Sequence, residues 1–82
     1  MITRLGRKLR LLRERAGLSQ TDLAPLIGLS DRSKGYISEI ESGKKIPPAV
    51  TILRIALYFN VSTDYLLRDD MPEQDDATPS RV

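Results

Sequence analysis

Residues 18–43, LSQTDLAPLIGLSDRSKGYISEIESG, decide the fold of this chain. Ser19 precedes Asp22 by three residues, which is the spacing of a capping box at the start of a helix. Gly28 suits the left-handed position at which a helix ends. Ile37 and Ile40 then recur at helical spacing. The stretch therefore predicts two short helices joined by a turn.

The flanking sequence is also helical in its pattern, so five helices and no strands are predicted. A first helix ends before Gly17, because apolar residues recur at three- and four-residue spacing: Leu5, Leu9, Leu12 and Ala16. Two prolines open a fourth helix, which ends at Asn60 and has the predicted core face Ala49, Ile52, Leu53, Ala56 and Phe59. Ser62 caps a brief fifth helix. Residues 1–68 form the predicted domain, and the fold class is all-α.

The composition excludes several classes of function. The chain has 82 residues, which allow one small domain. It contains no cysteine and no histidine, so a disulfide framework, a thiolate metal site and the commonest general base are excluded. We expect no cofactor, no metal and no enzymatic activity. No apolar run approaches membrane-helix length and no secretory leader opens the chain, so we expect a cytoplasmic protein with no membrane partner.

The charge is distributed unevenly along the chain. Residues 1–68 hold 12 Lys/Arg against 6 Asp/Glu, a net charge of +6, whereas residues 69–82 hold 1 Arg against 5 acids, a net charge of −4. A basic body favours a polyanion such as nucleic acid as partner. The acidic segment 69–82 is predicted to be a disordered tail.

Two short helices separated by a turn, within an aliphatic helical domain, are typical of a helix-turn-helix DNA-binding unit. Ala24 fits this geometry, because its small side chain lets the next helix cross closely. Pro25 does not fit, since a proline within a helix removes one backbone hydrogen bond.

The chain resembles the Cro/repressor-type (XRE-like) helix-turn-helix transcription regulators over about residues 3–68. The resemblance is carried by Leu9, Leu12, Arg13, Leu18, Ser19, Gln20, Leu23, Ala24, Gly28, Leu29, Ser30, Ile37, Ser38, Ile40, Glu41, Gly43, Pro47, Ile55, Ala56, Asn60, Val61, Ser62 and Leu66. It implies a lambda-repressor-like domain that binds palindromic operators in double-stranded DNA as a homodimer. In the family the recognition-helix isoleucine follows the serine by four residues, whereas Ser30 and Ile37 are seven apart. We therefore expect a three-residue longer turn, with Ser33 capping the third helix.

Residues on the outer side of the third helix are the candidates for base contacts: Lys34, Gly35, Ser38 and Glu39. A lysine donates to guanine O6 and N7, and a glutamate accepts from cytosine N4. Gly35 would let the backbone approach DNA closely. Lys34 fits a phosphate contact equally well. Glu39 fits equally well as a solvated acid, or as an intramolecular partner of Lys34 or Arg32.

Phosphate contacts are predicted for residues at the edges of this surface: Gln20, Ser33, Ser42, Lys44, Lys45 and Arg10. The resemblance implies that Gln20 bonds a phosphate and braces the recognition helix. It also implies that the loop holding both lysines grips the DNA backbone, although lysines in such a loop also serve solubility alone. Arg7, Lys8 and Arg10 on the first helix would lie near flanking phosphates or remain solvated.

The resemblance implies two structural roles as well. Arg13 and Glu41 correspond to an ion pair between the first helix and the end of the third. Dimerisation is expected around the fifth helix, and the apolar residues left over for it are Leu57, Tyr58 and Tyr65. An alternative function is an antitoxin-type protein whose acidic tail binds a protein partner.

Overall fold

The computed structural model describes residues 4–30 and 34–71, and these residues form five helices and no strand. The helices are α1 (Leu5–Arg15), α2 (Gln20–Leu26), α3 (Lys34–Glu41), α4 (Ala49–Phe59) and α5 (Thr63–Leu67). The predicted all-α, five-helix fold is confirmed. The helix α3 begins at Lys34. Ser33, its predicted cap and a predicted phosphate contact, lies outside the described residues.

The predicted signals at both ends of α2 are present. Asp22 N–H donates to Ser19 Oγ at 2.9 Å, and Ser19 N–H donates to Asp22 Oδ2 at 3.0 Å, which completes the capping box. At the other end Gly28 has φ +83°, and Leu29 N–H donates to the carbonyl of Ala24 at 2.9 Å. This hydrogen bond closes a Schellman motif and turns the chain away from the axis of α2.

The position of Pro25 explains why α2 tolerates it. Pro25 is exposed and lies one residue before the end of α2, so the helix loses a single backbone hydrogen bond. Thr21, whose carbonyl would accept from the N–H of a non-proline residue at position 25, is itself exposed. The carbonyl of Pro25 accepts from Gly28 N–H at 3.2 Å and so takes part in the helix end.

The core is aliphatic and fixes the orientation of α3. Ile37 and Ile40 are 0% and 1% exposed, and Ala24 beside them in the core is fully buried. Burial of both isoleucines turns the opposite side of α3 outward. Leu53, predicted in the core, is instead 48% exposed, because α4 buries the face that carries Ile52, Ile55 and Ala56.

Gly6 is a position of close approach between α1 and α3. A Cβ built on Gly6 would lie 2.6 Å from the carbonyl oxygen of Glu41 and would also overlap that of Ile40. The end of α3 therefore packs directly on the backbone of α1. Only glycine leaves room for this contact.

Lys8 is fully buried, which corrects the expectation that it lies near phosphates or in solvent. Its Nζ donates to the carbonyls of Tyr65 and Arg68 and lies 4.7 Å from the centroid of the Tyr65 ring. These carbonyls lie in and just after the last turn of α5, where backbone acceptors lack partners within the helix and a positive charge is favourable. Lys8 thus joins α1 to the end of α5.

Contacts with the helical domain continue past Arg68. Arg4 N–H donates to Asp69 Oδ1 at 3.1 Å, and Met71 packs against the core. Asp69 and Met71 were assigned to the acidic tail, but these contacts place them on the folded domain. Residues 72–82 lie outside the described residues, and so does most of the surface through which an antitoxin-type tail would bind a partner.

Candidate nucleic-acid interface

The outer face of α3 carries three of the predicted base-contacting residues. Gly35 and Ser38 are exposed, and the side chain of Glu39 is 42% exposed. Lys34 is the first residue of α3, but its side chain lies outside the described part of the structure. A Cβ on Gly35 would meet no described atom within 4 Å, so the backbone here is open to close approach.

A cleft beside this face gathers predicted contacts from three helices. It is lined by Arg10, Arg13, Gln20, Ser38, Glu41 and Ser42. Of the predicted base and phosphate contacts, Arg10 comes from α1, Gln20 from the start of α2, and Ser38 and Ser42 from α3 and its end. The fold therefore brings together residues that are distant in the sequence.

Arg13 and Glu41, the predicted ion pair, form two hydrogen bonds beside this cleft. Arg13 Nε lies 2.6 Å from Glu41 Oε2, and Arg13 Nη2 lies 3.0 Å from Glu41 Oε1. Arg13 Nη1 also donates to the carbonyl of Leu18 at 2.9 Å. The side chains are only 12% and 6% exposed. Hydrogen bonding to Glu41 raises the pKa of Arg13 above its ordinary value, so the guanidinium group keeps its charge.

Gln20 contacts the same carboxylate. Its Nε2 donates to Glu41 Oε1 at 3.2 Å, so the start of α2 is linked to the end of α3. Glu41 therefore accepts from α1 and from α2 at once. This arrangement braces α3 against both neighbouring helices, and the phosphate contact of Gln20 remains a prediction.

The loop after α3 folds back on Glu39. Lys44 and Lys45 N–H groups lie 2.9 and 3.2 Å from the Glu39 carbonyl oxygen, and Ser42 Oγ lies 3.1 Å from it. Lys45 Nζ lies 3.4 Å from Glu39 Oε1. Among the described side chains, Lys45 is thus an intramolecular partner of Glu39. Arg32 and the side chain of Lys34, the partners considered from the sequence, lie outside the described part of the structure. Nothing in the sequence spacing distinguishes Lys45 from Lys44.

Arg10 is exposed and paired within α1. Its Nε lies 3.2 Å from Glu14 Oε2, one helical turn away, and both side chains are more than half exposed. An exposed pair of this kind is weak and is easily exchanged for another anion. Arg10 is therefore available to a phosphate at the edge of the cleft.

The predicted subunit contacts divide between surface and core. Leu57 is 70% exposed and Tyr58 is 43% exposed, whereas Tyr65 is 8% exposed. Tyr65 is a correction, because its side chain packs in the core and beneath Lys8 and so offers little surface to a second subunit. Sequence analysis missed further exposed apolar residues before and on α4: Ile46, Val50 and Leu53.

The sequence of α4 contains a feature that indicates this exposed apolar surface, namely an excess of apolar residues. Arg54 is its single charged residue, so apolar residues occupy every side of the helix. A helix that is apolar on all sides is normally buried. We call five exposed apolar residues the α4 patch: Ile46, Val50, Leu53, Leu57 and Tyr58.

Comparison with known proteins identifies the family. A model described as a helix-turn-helix domain matches residues 6–69. The chain belongs to this helix-turn-helix family. The matched range contains α2 and α3, together with the Arg13–Glu41 pair. The resemblance found in the sequence is thereby confirmed.

Two curated relatives are similar to this helix-turn-helix chain. The HTH-type transcriptional regulator ImmR of Bacillus subtilis is 33% identical over 66 residues, which are 80% of this chain and 50% of the relative. The ImmF control region 10 kDa protein of Bacillus phage phi105 is 33% identical over 63 residues, 77% of this chain and 67% of the relative. The chain thus spans half the length of ImmR.

Two solved structures share the fold. The P22 c2 repressor in complex with a synthetic operator has a TM-score of 0.70 and 27% identity, and the match covers 80% of this chain and 96% of the repressor chain. The restriction-modification controller protein C.AhdI from Aeromonas hydrophila has a TM-score of 0.67 and 34% identity, with 79% and 94% covered.

Residues 4–30 and 34–71 lack two other kinds of site. These residues contain no cluster of acidic side chains able to hold a metal ion. None of their helices is long and apolar enough to cross a membrane.

Proposed function

We propose that this helix-turn-helix domain is a sequence-specific regulator of transcription that places α3 in the major groove of double-stranded DNA. The proposal rests on one observation above all. Ile37 and Ile40 anchor α3 in the core, so Gly35 and Ser38 face outward beside a cleft. The similarity to a repressor whose structure contains its operator supports the same function.

The arrangement separates residues that position the domain from residues that distinguish bases. Arg10, Gln20 and Lys44 come from three different elements around α3, and contacts from them to phosphates would fix its register. Ser38 and Glu39 would then meet base edges. The Arg13–Glu41 pair holds α3 at the required angle without touching DNA.

DNA binding is tested with a duplex selected from a random library by the protein itself. We expect affinity, measured by fluorescence anisotropy, to fall steeply between 50 and 200 mM salt, because phosphate contacts release counterions. Ser38→Glu should weaken binding at least 100-fold, since it adds a carboxylate to the groove face. Thr63→Glu adds the same charge at the start of α5 and should have a much smaller effect. Equal losses for both variants, or no enriched duplex, would contradict the proposal.

We further propose that two copies bind a palindromic operator through the α4 patch, a refinement of the contact predicted around the fifth helix. Leu57 and Tyr58 supply the most C-terminal part of this patch, and Val50 and Leu53 extend it along the same helix. A dimer binds a palindromic operator more tightly than a single copy does, because the contacts to the two half-sites add.

Leu57→Glu tests the dimer separately from DNA binding. Placing a charge at a subunit contact disfavours association. We therefore expect at least a tenfold loss of affinity for the palindromic duplex and an unchanged affinity for an isolated half-site, both measured by anisotropy. An equal loss on both duplexes would show that the α4 patch does not join two subunits.

A further inference from the structure

We infer that Lys44 and Lys45, although adjacent, have different tasks, and that Lys45 is a positioning residue that sets the contribution of Glu39 to sequence specificity. The inference rests on the proposed binding of DNA through α3. It assigns Lys44 to a phosphate and Lys45 to the carboxylate of Glu39.

The first step is the geometry of Lys45, which is tied to α3 at both ends. Its backbone N–H donates to the carbonyl of Glu39 at 3.2 Å, and its Nζ lies 3.4 Å from Glu39 Oε1. The same Nζ lies 5.9 Å from the centroid of the Tyr36 ring, within the range of a cation–π contact. Tyr36 is partly buried against the core, which fixes the ring. The ammonium group is therefore held beside the carboxylate before DNA arrives.

Lys44 shares the backbone anchor but not the side-chain contacts. Its N–H donates to the same carbonyl at 2.9 Å. Lys44 is exposed, and no ion pair joins its ammonium group to any acid in the described ranges. The ammonium group of Lys44 is therefore able to bind a phosphate directly, whereas that of Lys45 is already paired with the carboxylate of Glu39.

The second step is electrostatic. Glu39 is an acid on the face that approaches a polyanion, and an uncompensated carboxylate there would repel phosphates. In water an exposed ion pair contributes little. Once a duplex covers the pair and removes water, the same attraction strengthens because the local dielectric constant falls. Lys45 thus lets Glu39 remain at the groove and accept from cytosine N4.

The test is a double-mutant cycle with Lys44→Gln as the matched control. The probes are a random-sequence duplex and the duplex selected by the unaltered protein, the latter also with each cytosine in turn replaced by thymine. On random-sequence DNA, Lys44→Gln should lower affinity and reduce the salt slope by about 1. Lys45→Gln should lower affinity about fivefold further, because it also exposes a charged Glu39 to the phosphates.

Glu39→Gln distinguishes the two lysines. In the Lys45→Gln background, Glu39→Gln should recover most of the additional loss, about fivefold, of affinity for random-sequence DNA. In the Lys44→Gln background, it should change that affinity less than twofold. On the selected duplex, Lys45→Gln should abolish discrimination at the same cytosine as Glu39→Gln, while Lys44→Gln preserves it. Equal effects of the two lysine variants on every duplex would overturn the inference and leave the proposed function standing. Failure of the unaltered protein to bind any duplex would overturn both.

Discussion

Glu41→Ala should lower the free energy of unfolding by about 3 kcal/mol, measured by urea denaturation. The change removes two hydrogen bonds from Arg13 and one from Gln20, and it leaves a guanidinium group that is only 12% exposed without its counter-charge. The total free energy of unfolding of a small domain is about 5–15 kcal/mol, so a large part of the stability would be lost. DNA affinity should fall as well, because α3 loses its braces to α1 and α2.

The matched control is Glu14→Ala, which removes the carboxylate of the Arg10–Glu14 pair on α1. Both of these side chains are more than half exposed. We expect Glu14→Ala to lower the free energy of unfolding by about 0.5 kcal/mol or less, as for other exposed ion pairs within a helix. Similar costs for the two variants would show that burial of the Arg13–Glu41 pair does not determine its contribution.

Gly6→Ala should lower the free energy of unfolding by about 2 kcal/mol, although helix propensity alone predicts a gain of about 1 kcal/mol. The added methyl group would overlap the carbonyl oxygens of Ile40 and Glu41. These are backbone atoms and cannot rotate away, so α1 and α3 must separate. Thermal and urea denaturation should both report the loss.

Gly35→Ala is the control, because it makes the same chemical change within a helix but in open space. A Cβ at Gly35 meets no described atom within 4 Å, so we expect a gain of about 0.5 kcal/mol. Gly35→Ala should nevertheless weaken DNA binding if the backbone of α3 approaches the duplex closely. A stabilising Gly6→Ala would contradict the close packing of α1 on α3.

Sequence analysis predicted the helix ends well because they depend on local chemistry. The capping box of Ser19, the Gly28 turn and the left-handed Asn60 each involve residues within about one helical turn. It failed for Lys8, which the pattern of basic residues on α1 assigned to solvent or phosphate. The acceptors of Lys8 are carbonyls more than 50 residues away, and no local rule indicates them.

The candidate site shows the same division. The resemblance implied the Arg13–Glu41 pair from two matching positions, and the structure places the two side chains in contact. The different environments of Lys44 and Lys45 could not be predicted, since both lie in one basic loop. The exposure of the α4 patch and the burial of Tyr65 likewise depend on which face α4 and α5 turn to the core.

The sequence by itself determined the all-α class, the starts and ends of most helices and the family, because short-range capping, apolar periodicity and motif spacing are properties of neighbouring residues. Only the tertiary structure decided which charges are buried, which lysine pairs with Glu39 and how closely α3 approaches Gly6. Those outcomes depend on contacts between helices, whose distances and angles are set by packing of the whole core.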